Sequence, residues 1–386
     1  MKRFQKIILV LIINILMAPV AYSQTPIKIA ALFGMTGKEA SGFHIDTIIG
    51  LRLAVEEWNR NHQNLLGREI QLIIYDHQSE KIKAAEMVKK AKNDGAVAII
   101  GSRWSSLTTP AAIVAQQLGI PLITPSATSK EITEIGDHIF RIAWMGLYPA
   151  KVLARFANHK FKEKAASLED ITTLVYKNTC TEPFVQEYQQ LRPETTVNRL
   201  TFADSDLDFS KQLNQIKNLK PGAVSLASSS RNAQMIFQQA EKLKLKINWL
   251  AYDSIGPTSI PPGGFKYGRV YALAQYYPDQ NNAVLQGMIK KAEAMALQLQ
   301  LEPKNLKTSD PFPLAFDAAS ILFTAIQKAN STDHQAIIRT LSNIDYQGLT
   351  GRIKFDQNRN PVRDVFIMLA ESGQTNFQYI EKFEAK

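Results

Sequence analysis

Two short apolar runs constrain this chain more than anything else in it. Residues 97–100 and 120–123 are each one strand long, and each runs straight into small hydroxyl residues. The first run meets Gly101 and then Ser105, Ser106, Thr108 and Thr109. The second meets Thr124, Ser126 and Thr128. A helical pattern lies between them. Strand, polar exit, helix and strand make a βαβ unit of a parallel sheet. Ligands of open α/β sheets sit in the crevice beyond the carboxyl ends of the strands. The two hydroxyl clusters therefore read as two walls of one polar site.

The same alternation extends in both directions. Residues 27–33 and 70–75 are strand candidates, and 48–61 and 79–92 carry apolar residues at helical spacing. Residues 138–143 read as a further short strand. The pattern then restarts. Helical stretches at 148–160, 182–191, 209–219 and 232–243 interleave with strand candidates at 171–176, 195–200, 223–227 and 247–252. The strand at 171–176 would exit through Lys177 to Thr181. After a Pro/Gly-rich segment at 257–264 come a strand at 269–274 and helices at 283–299, 312–328 and 334–341. The chain closes on β-type alternation at 351–355, 364–369 and 377–383. At 386 residues there is room for roughly two domains of about 150 residues each. The expected fold class is α/β, two arrays of doubly wound, mainly parallel sheet flanked by helices.

The first residues read as a leader, not as fold. Lys2, Arg3 and Lys6 precede an apolar stretch at 7–20, and small residues at 21–23 suit signal peptidase, so cleavage is expected before Gln24. The apolar stretch is short for a spanning helix. Three of the 45 basic residues and none of the 35 acidic ones lie in this leader, leaving 42 against 35, a net +7. The basic residues are spread along helices among acids, and no aromatic-rich basic motif or zinc finger accompanies them, which argues against a nucleic-acid partner. Cys180 is the single cysteine, so an internal disulfide is excluded.

Enzyme signatures are missing. There is no G-x-S-x-G elbow, H-E-x-x-H pair, phosphate loop or G-x-G-x-x-G turn. His44, His62 and His77 fall near loops or helix ends and read as surface residues. The positive signal is polar groups at strand exits: Ser105, Ser106, Ser126 and Thr128 in the first array; Thr181, Ser228, Ser229 and Asp253 in the second. Hydroxyls at a helix start favour a carboxylate, and an acid such as Asp253 favours an ammonium group, so the set suits a zwitterion. Each hydroxyl taken singly is better accounted for by helix capping or turn chemistry. Trp104 and Phe43 are candidates for an apolar wall or for core packing.

Taken in order, the segments IKIAALFGMTG (27–37), GLRLAVEEWN (50–59), LIIYDHQSE (72–80), IIGSRWSSLTTP (99–110), GIPLITPSATSKEIT (119–133), FRIA (140–143) and GLTGRIKFDQNRNP (348–361) resemble type I periplasmic binding proteins. Within these the resemblance is to the branched-chain amino-acid (Leu/Ile/Val) binding proteins of ABC importers. It implies two lobes joined by three hinge crossovers, with 27–143 and 275–346 in one lobe and 144–274 and 351–386 in the other. It implies a monomer without cofactor or catalysis, which carries a small solute to an inner-membrane permease from the periplasm. A sensory module presenting the solute to a signalling partner is the alternative. The resemblance places the ligand carboxylate at Ser105 and Ser106, further contacts at Ser126 and Thr128, and the ammonium at Asp253. This chain has Thr181 and Glu182 where many relatives have Tyr-Gly, and no tyrosine at 228–230.

Overall fold

The computed structural model describes residues 25–384 apart from 38–41, 62–63, 173, 257–258, 278, 280, 303–305, 307–309 and 375–376; at 42–43 it describes only the backbone. The expected leader and cleavage site therefore lie outside the described residues, as does the side chain of Phe43.

The first sheet is parallel throughout. Its strands are β1 (Ile27–Phe33), β2 (Ile70–Asp76), β3 (Ala98–Gly101), β4 (Leu122–Thr124) and β5 (Ile139–Arg141), in the order β2-β1-β3-β4-β5. β1, β3, β4 and β5 are buried along their whole length but for Lys28, as strands covered on both faces must be. The crossovers are α1 (Gly42–Asn61), α2 (Lys81–Asn93), α3 (Ser105–Leu118) and the one-turn α4 (Glu131–Glu134).

The second sheet repeats this winding. Helix α5 (Leu147–Lys160) leads into β6 (Ala165–Asp170). A helical stretch, α6 (Leu174–Tyr176), a π-helical turn at Lys177–Thr181 and α7 (Glu182–Leu191), leads to β7 (Asn198–Phe202). Then follow α8 (Ser210–Leu219), β8 (Ala223–Ala227), α9 (Ser230–Lys242), β9 (Asn248–Ala251) and β10 (Arg269–Ala274). Read from β7, the order is β7-β6-β8-β9-β10, the same reversal beside the first strand as in sheet one. β13 (Val365–Ala370) and β14 (Gln378–Phe383) extend it antiparallel at the β10 edge. Between β10 and β13 lie α10 (Ala283–Gln298), α11 (Pro311–Ala329), α12 (His334–Ser342) and a small hairpin, β11 (Asp345–Gly348) with β12 (Gly351–Lys354).

Those helices return to the first sheet. One core joins Ile27, Phe33, Ile49 and Trp58 to Phe312, Phe323, Ile353 and Phe355. Trp58 meets Phe323 edge to face at 5.6 Å. Gly50 lets α1 and α11 touch, since a Cβ there would stand 2.4 Å from the Phe312 carbonyl oxygen. Separate cores fill the two faces of the second sheet: Trp144, Phe156, Tyr188, Leu273 and Val365 on one, Phe202, Phe237, Trp249 and Phe265 on the other. The chain thus passes between cores three times: between Ile142 and Trp144, between Leu273 and Tyr276, and between Phe355 and Val365.

One strand lies elsewhere than the sequence pattern suggests. None of the described residues of the β-branched run at 171–176 is in the sheet. β6 is Ala165–Asp170, whose residues are all buried, while Ile171 is 60% and Leu174 68% exposed. A central parallel strand needs small buried residues more than it needs β-branched ones. Two acids close this strand and hide its apolar signal. The true exit is therefore Glu169 and Asp170, not Lys177 to Thr181.

Candidate functional site

The carboxyl end of sheet one is organised by Gly101. A Cβ there would stand 2.2 Å from the Leu32 carbonyl oxygen, so only glycine lets β3 lie this close to β1 as it leaves the sheet. The order β2-β1-β3-β4-β5 puts the topological switch between β1 and β3, where the crevice of such a sheet opens. Residues 102–105 lie at that point. Trp104, not a serine, is the N-cap of α3, and its carbonyl accepts from Leu107 N at 3.0 Å and Thr108 N at 2.8 Å. Ser105 and Ser106 are the first residues of the helix, and neither side chain caps it. Capping, the ordinary use of such hydroxyls, is not what they do here.

Hydrogen bonds lace the two hydroxyl loops together. Ser105 Oγ accepts from Ser129 N at 3.2 Å, Thr124 Oγ1 donates to the Ser102 carbonyl at 2.7 Å, and Ser126 Oγ reaches the Arg103 carbonyl at 3.5 Å. Arg141, wholly buried, braces the second loop from behind through the Ala127 and Lys130 carbonyls and Thr133 Oγ1. His77 and His44 are buried, not on the surface as the sequence pattern suggested, and His62 lies outside the described residues. His77 Nδ1 accepts from Ser79 N at 3.2 Å. Its proton is therefore on Nε2, which donates to Ser102 Oγ at 2.8 Å and ties β2 to the site loop. Burial lowers the His77 pKa and keeps the ring neutral. Thr128 is half-buried in the same loop, while Ser106 is exposed.

The second sheet contributes a different set. Ser229 is the N-cap of α9, its oxygen accepting from Asn232 N at 3.3 Å, so capping accounts for this hydroxyl. Thr181 is buried at the end of the π-helical turn, with no hydrogen-bond partner for Oγ1 among the described residues. Tyr252 links that turn to the sheet, its hydroxyl donating to the Cys180 carbonyl at 3.1 Å and bonding Ser225 Oγ at 2.9 Å. Cys180 is a buried free thiol that burial pushes far up, so it is no nucleophile. Asp253 follows β9 and accepts from Gln275 Nε2 at 3.4 Å.

The feature that pattern reading missed is charge. Arg103 lies one residue before Trp104, its guanidinium 5.0 Å from the centre of the indole ring. It interacts with three carboxylates from separate elements: Asp310 at the start of α11, Asp253 after β9 and Asp46 in α1. Burial lowers the Arg103 pKa and these acids oppose the shift. Asp253 is pushed up to about 6, first by burial and then by Asp310, with Arg103 pulling the other way. Burial likewise raises Asp310, against Arg103 and Arg363. Two aromatic residues flank the group. Burial raises Tyr176, with Asp253 among the lesser causes, and raises Tyr276 beside Asp310. Tyr276 Oη and Trp104 Nε1 are buried without a hydrogen-bond partner among the described residues. Hydrogen bonds thus tie Ser105 and Ser126 between the two loops beside Trp104, with Thr128 in the second loop, and the charge of Asp253 bears on Arg103 from the second sheet. The missed signal was an Arg amid hydroxyls at a strand exit and an Asp just before α11.

Among the described residues no cluster of His, Cys, Asp and Glu has the makings of a metal site, and no helix is long and apolar enough to cross a membrane. The family model for periplasmic binding proteins matches residues 26–375. The chain belongs to the periplasmic binding protein family. Its relatives are solute-binding proteins, not enzymes. One is the leucine-, isoleucine-, valine-, threonine- and alanine-binding protein of Pseudomonas aeruginosa, 24% identical over 339 residues, 86% of either chain. Among solved structures, a leucine-binding protein of Thermotoga maritima superposes with a TM-score of 0.79 at 24% identity, covering 93% of this chain and 99% of that one. A solute-binding protein of Rhodopseudomonas palustris holding p-hydroxybenzoic acid gives 0.80 at 14% identity, covering 94% and 98%. The two-lobed α/β fold is that of type I members of this family.

Proposed function

We propose that this chain is the periplasmic solute-binding component of an ABC importer, which closes on an amino acid between its lobes and delivers it to an inner-membrane permease. It acts as a monomer, exported on a leader cleaved before Gln24. The lobes are then 27–143 with 275–355, and 144–274 with 365–384. The observation that carries the reading is the charge of Arg103, at the exit of β3, bearing on Asp253 after β9 and on Asp310 at the start of α11. A zwitterion matches it. The carboxylate sits against Arg103 and the hydroxyls of Ser105, Ser126 and Thr128, beside Ser106, at the start of α3, where backbone N–H groups and the helix dipole favour an anion. The ammonium faces Asp253. Trp104 supplies an apolar wall, with Phe43 a further candidate; Thr181 and Ser229 lie on the opposite side.

Some structural neighbours hold aromatic acids. An acid without an ammonium would give Asp253 no cation of its own, so an amino acid fits better. The test is a thermal-shift panel of the twenty amino acids, benzoate and p-hydroxybenzoate. A ligand that binds only the folded chain at about a hundred times its Kd stabilises it by about 2.7 kcal/mol. We expect an amino acid to raise the melting temperature and Asp253→Asn to abolish the shift. A panel in which only the aromatic acids act, or an unchanged response in the variant, rejects the assignment.

A further inference from the structure

Arg363 lies far from the candidate ligand groups in sequence, and no strand-exit argument reaches it. It is 4% exposed and sits in the last passage between the cores. Its guanidinium donates to three backbone carbonyls. Nη1 bonds the Ile142 oxygen at 2.9 Å; Nη2 bonds the Thr350 oxygen at 2.8 Å and the Gln275 oxygen at 3.2 Å. Ile142 borders the first passage and Gln275 lies in the second. Thr350 lies just ahead of the third, in which Arg363 itself stands. One side chain thus holds all three interlobe connections.

The neighbourhood is built to keep that cation in place. Asp317 is fully buried in α11; it accepts from Leu349 N at 2.7 Å, Thr350 N at 2.9 Å and the Thr350 hydroxyl, and its charge bears on Arg363. Burial brings Arg363 down to about 10, so it stays charged at neutral pH, with Asp317, Asp310 and Asp364 supporting the charge. The second passage has a link of its own to the site: Gln275 Oε1 accepts from Trp144 N at 3.3 Å, and its Nε2 donates to Asp253. The planar fork of a guanidinium can hold three acceptors at fixed angles; an ammonium on a flexible stem cannot hold the same three.

We propose that Arg363 is the positioning residue of the hinge: by holding the three crossovers at one point it sets the angle between the lobes and limits the range they sample. This rests on the reading that the lobes move against one another to take a ligand. Hinges of this kind concentrate a large change in a few backbone positions, and a pin at their common point governs all of them together.

The test needs no ligand, so its failure and the failure of the solute panel are separate results. Lys89 on α2 and Lys217 on α8 are exposed, one on each lobe, and Cys180 is buried. Spin labels at Lys89→Cys and Lys217→Cys report the interlobe distance by pulsed electron resonance in the ligand-free full chain. The parent should give one narrow distribution. Arg363→Lys keeps the charge and loses the fork, and should broaden the distribution, since a released hinge samples more interlobe angles. Gln275→Leu leaves every guanidinium bond in place and should broaden it much less. An unchanged distribution in Arg363→Lys, or equal broadening in Gln275→Leu, overturns the proposal, since a residue that only stabilises the fold would lower the melting temperature without moving the lobes. Should Arg363→Lys not fold, the parent itself carries a second readout. Slow rotation of the Arg363 guanidinium by NMR supports the pin, and fast rotation overturns it.

Discussion

In the proposed site Asp253 links ligand binding to pH. Its ligand-free pKa of about 6 stands above the ordinary 3.8. In the ligand-free fold this favours stability at acid pH, a contribution lost as pH rises through about 6. Ligand binding runs the opposite way. A bound ammonium holds the carboxyl ionised, so below about pH 6 binding must first expel a proton. Affinity for an amino acid should therefore be level above pH 7 and fall as pH drops through 6, by up to about tenfold per unit. Calorimetric titrations of the parent from pH 5 to 7.5 check this. A parent whose affinity does not change over that range would mean that Asp253 does not meet the cation. The hydroxyl-rich strand exits are legible in the sequence because small polar residues after an apolar run are a local signal. Arg103, Asp310 and Arg363 are not, because each acquires its meaning from partners far away in sequence: Arg363 bonds Ile142 across 221 positions.

At the scale of elements, β3 and its exit carry the most. Gly101 leaves no room for a Cβ against Leu32, so Gly101→Ala must push β3 off β1 and move Arg103, Trp104 and Ser105 with it. A clash with backbone at a buried strand belongs to the severe class of substitutions, about 3 kcal/mol or more. Urea unfolding measures it, and a loss under about 1 kcal/mol would show that the strands separate easily. Most elements were readable from period and punctuation. The strand at 223–227 and the strand at 269–274 stand where the alternation put them. β6 was misplaced for a physical reason. Its sequence, Ala165–Asp170, is small and ends in acids, yet it lies between β7 and β8 with every residue buried. Burial in the middle of a sheet is decided by neighbours that local sequence does not contain. The β-branched run after it was left outside.

The whole molecule has one property that no single lobe shows. The core under the first sheet draws on residues 27–142 and again on 276–355, and β13 completes the second sheet from beyond both. Neither lobe is a continuous length of chain. Order of synthesis then matters. When residue 274 has emerged, every strand of the first sheet exists, but α10, α11 and α12, which cover one of its faces, do not. That face, which holds Ile29, Ala31, Phe33 and Ile100, then has α1 alone over it, and the apolar surface left bare favours association over folding. A fragment ending at residue 274 should therefore lack a cooperative melting transition and should aggregate. A sharp transition in its circular dichroism would refute this. The first lobe can complete its core only once residues 276–355 are available, an order that suits the export proposed for this chain, in which it is threaded through a membrane first and takes shape afterwards.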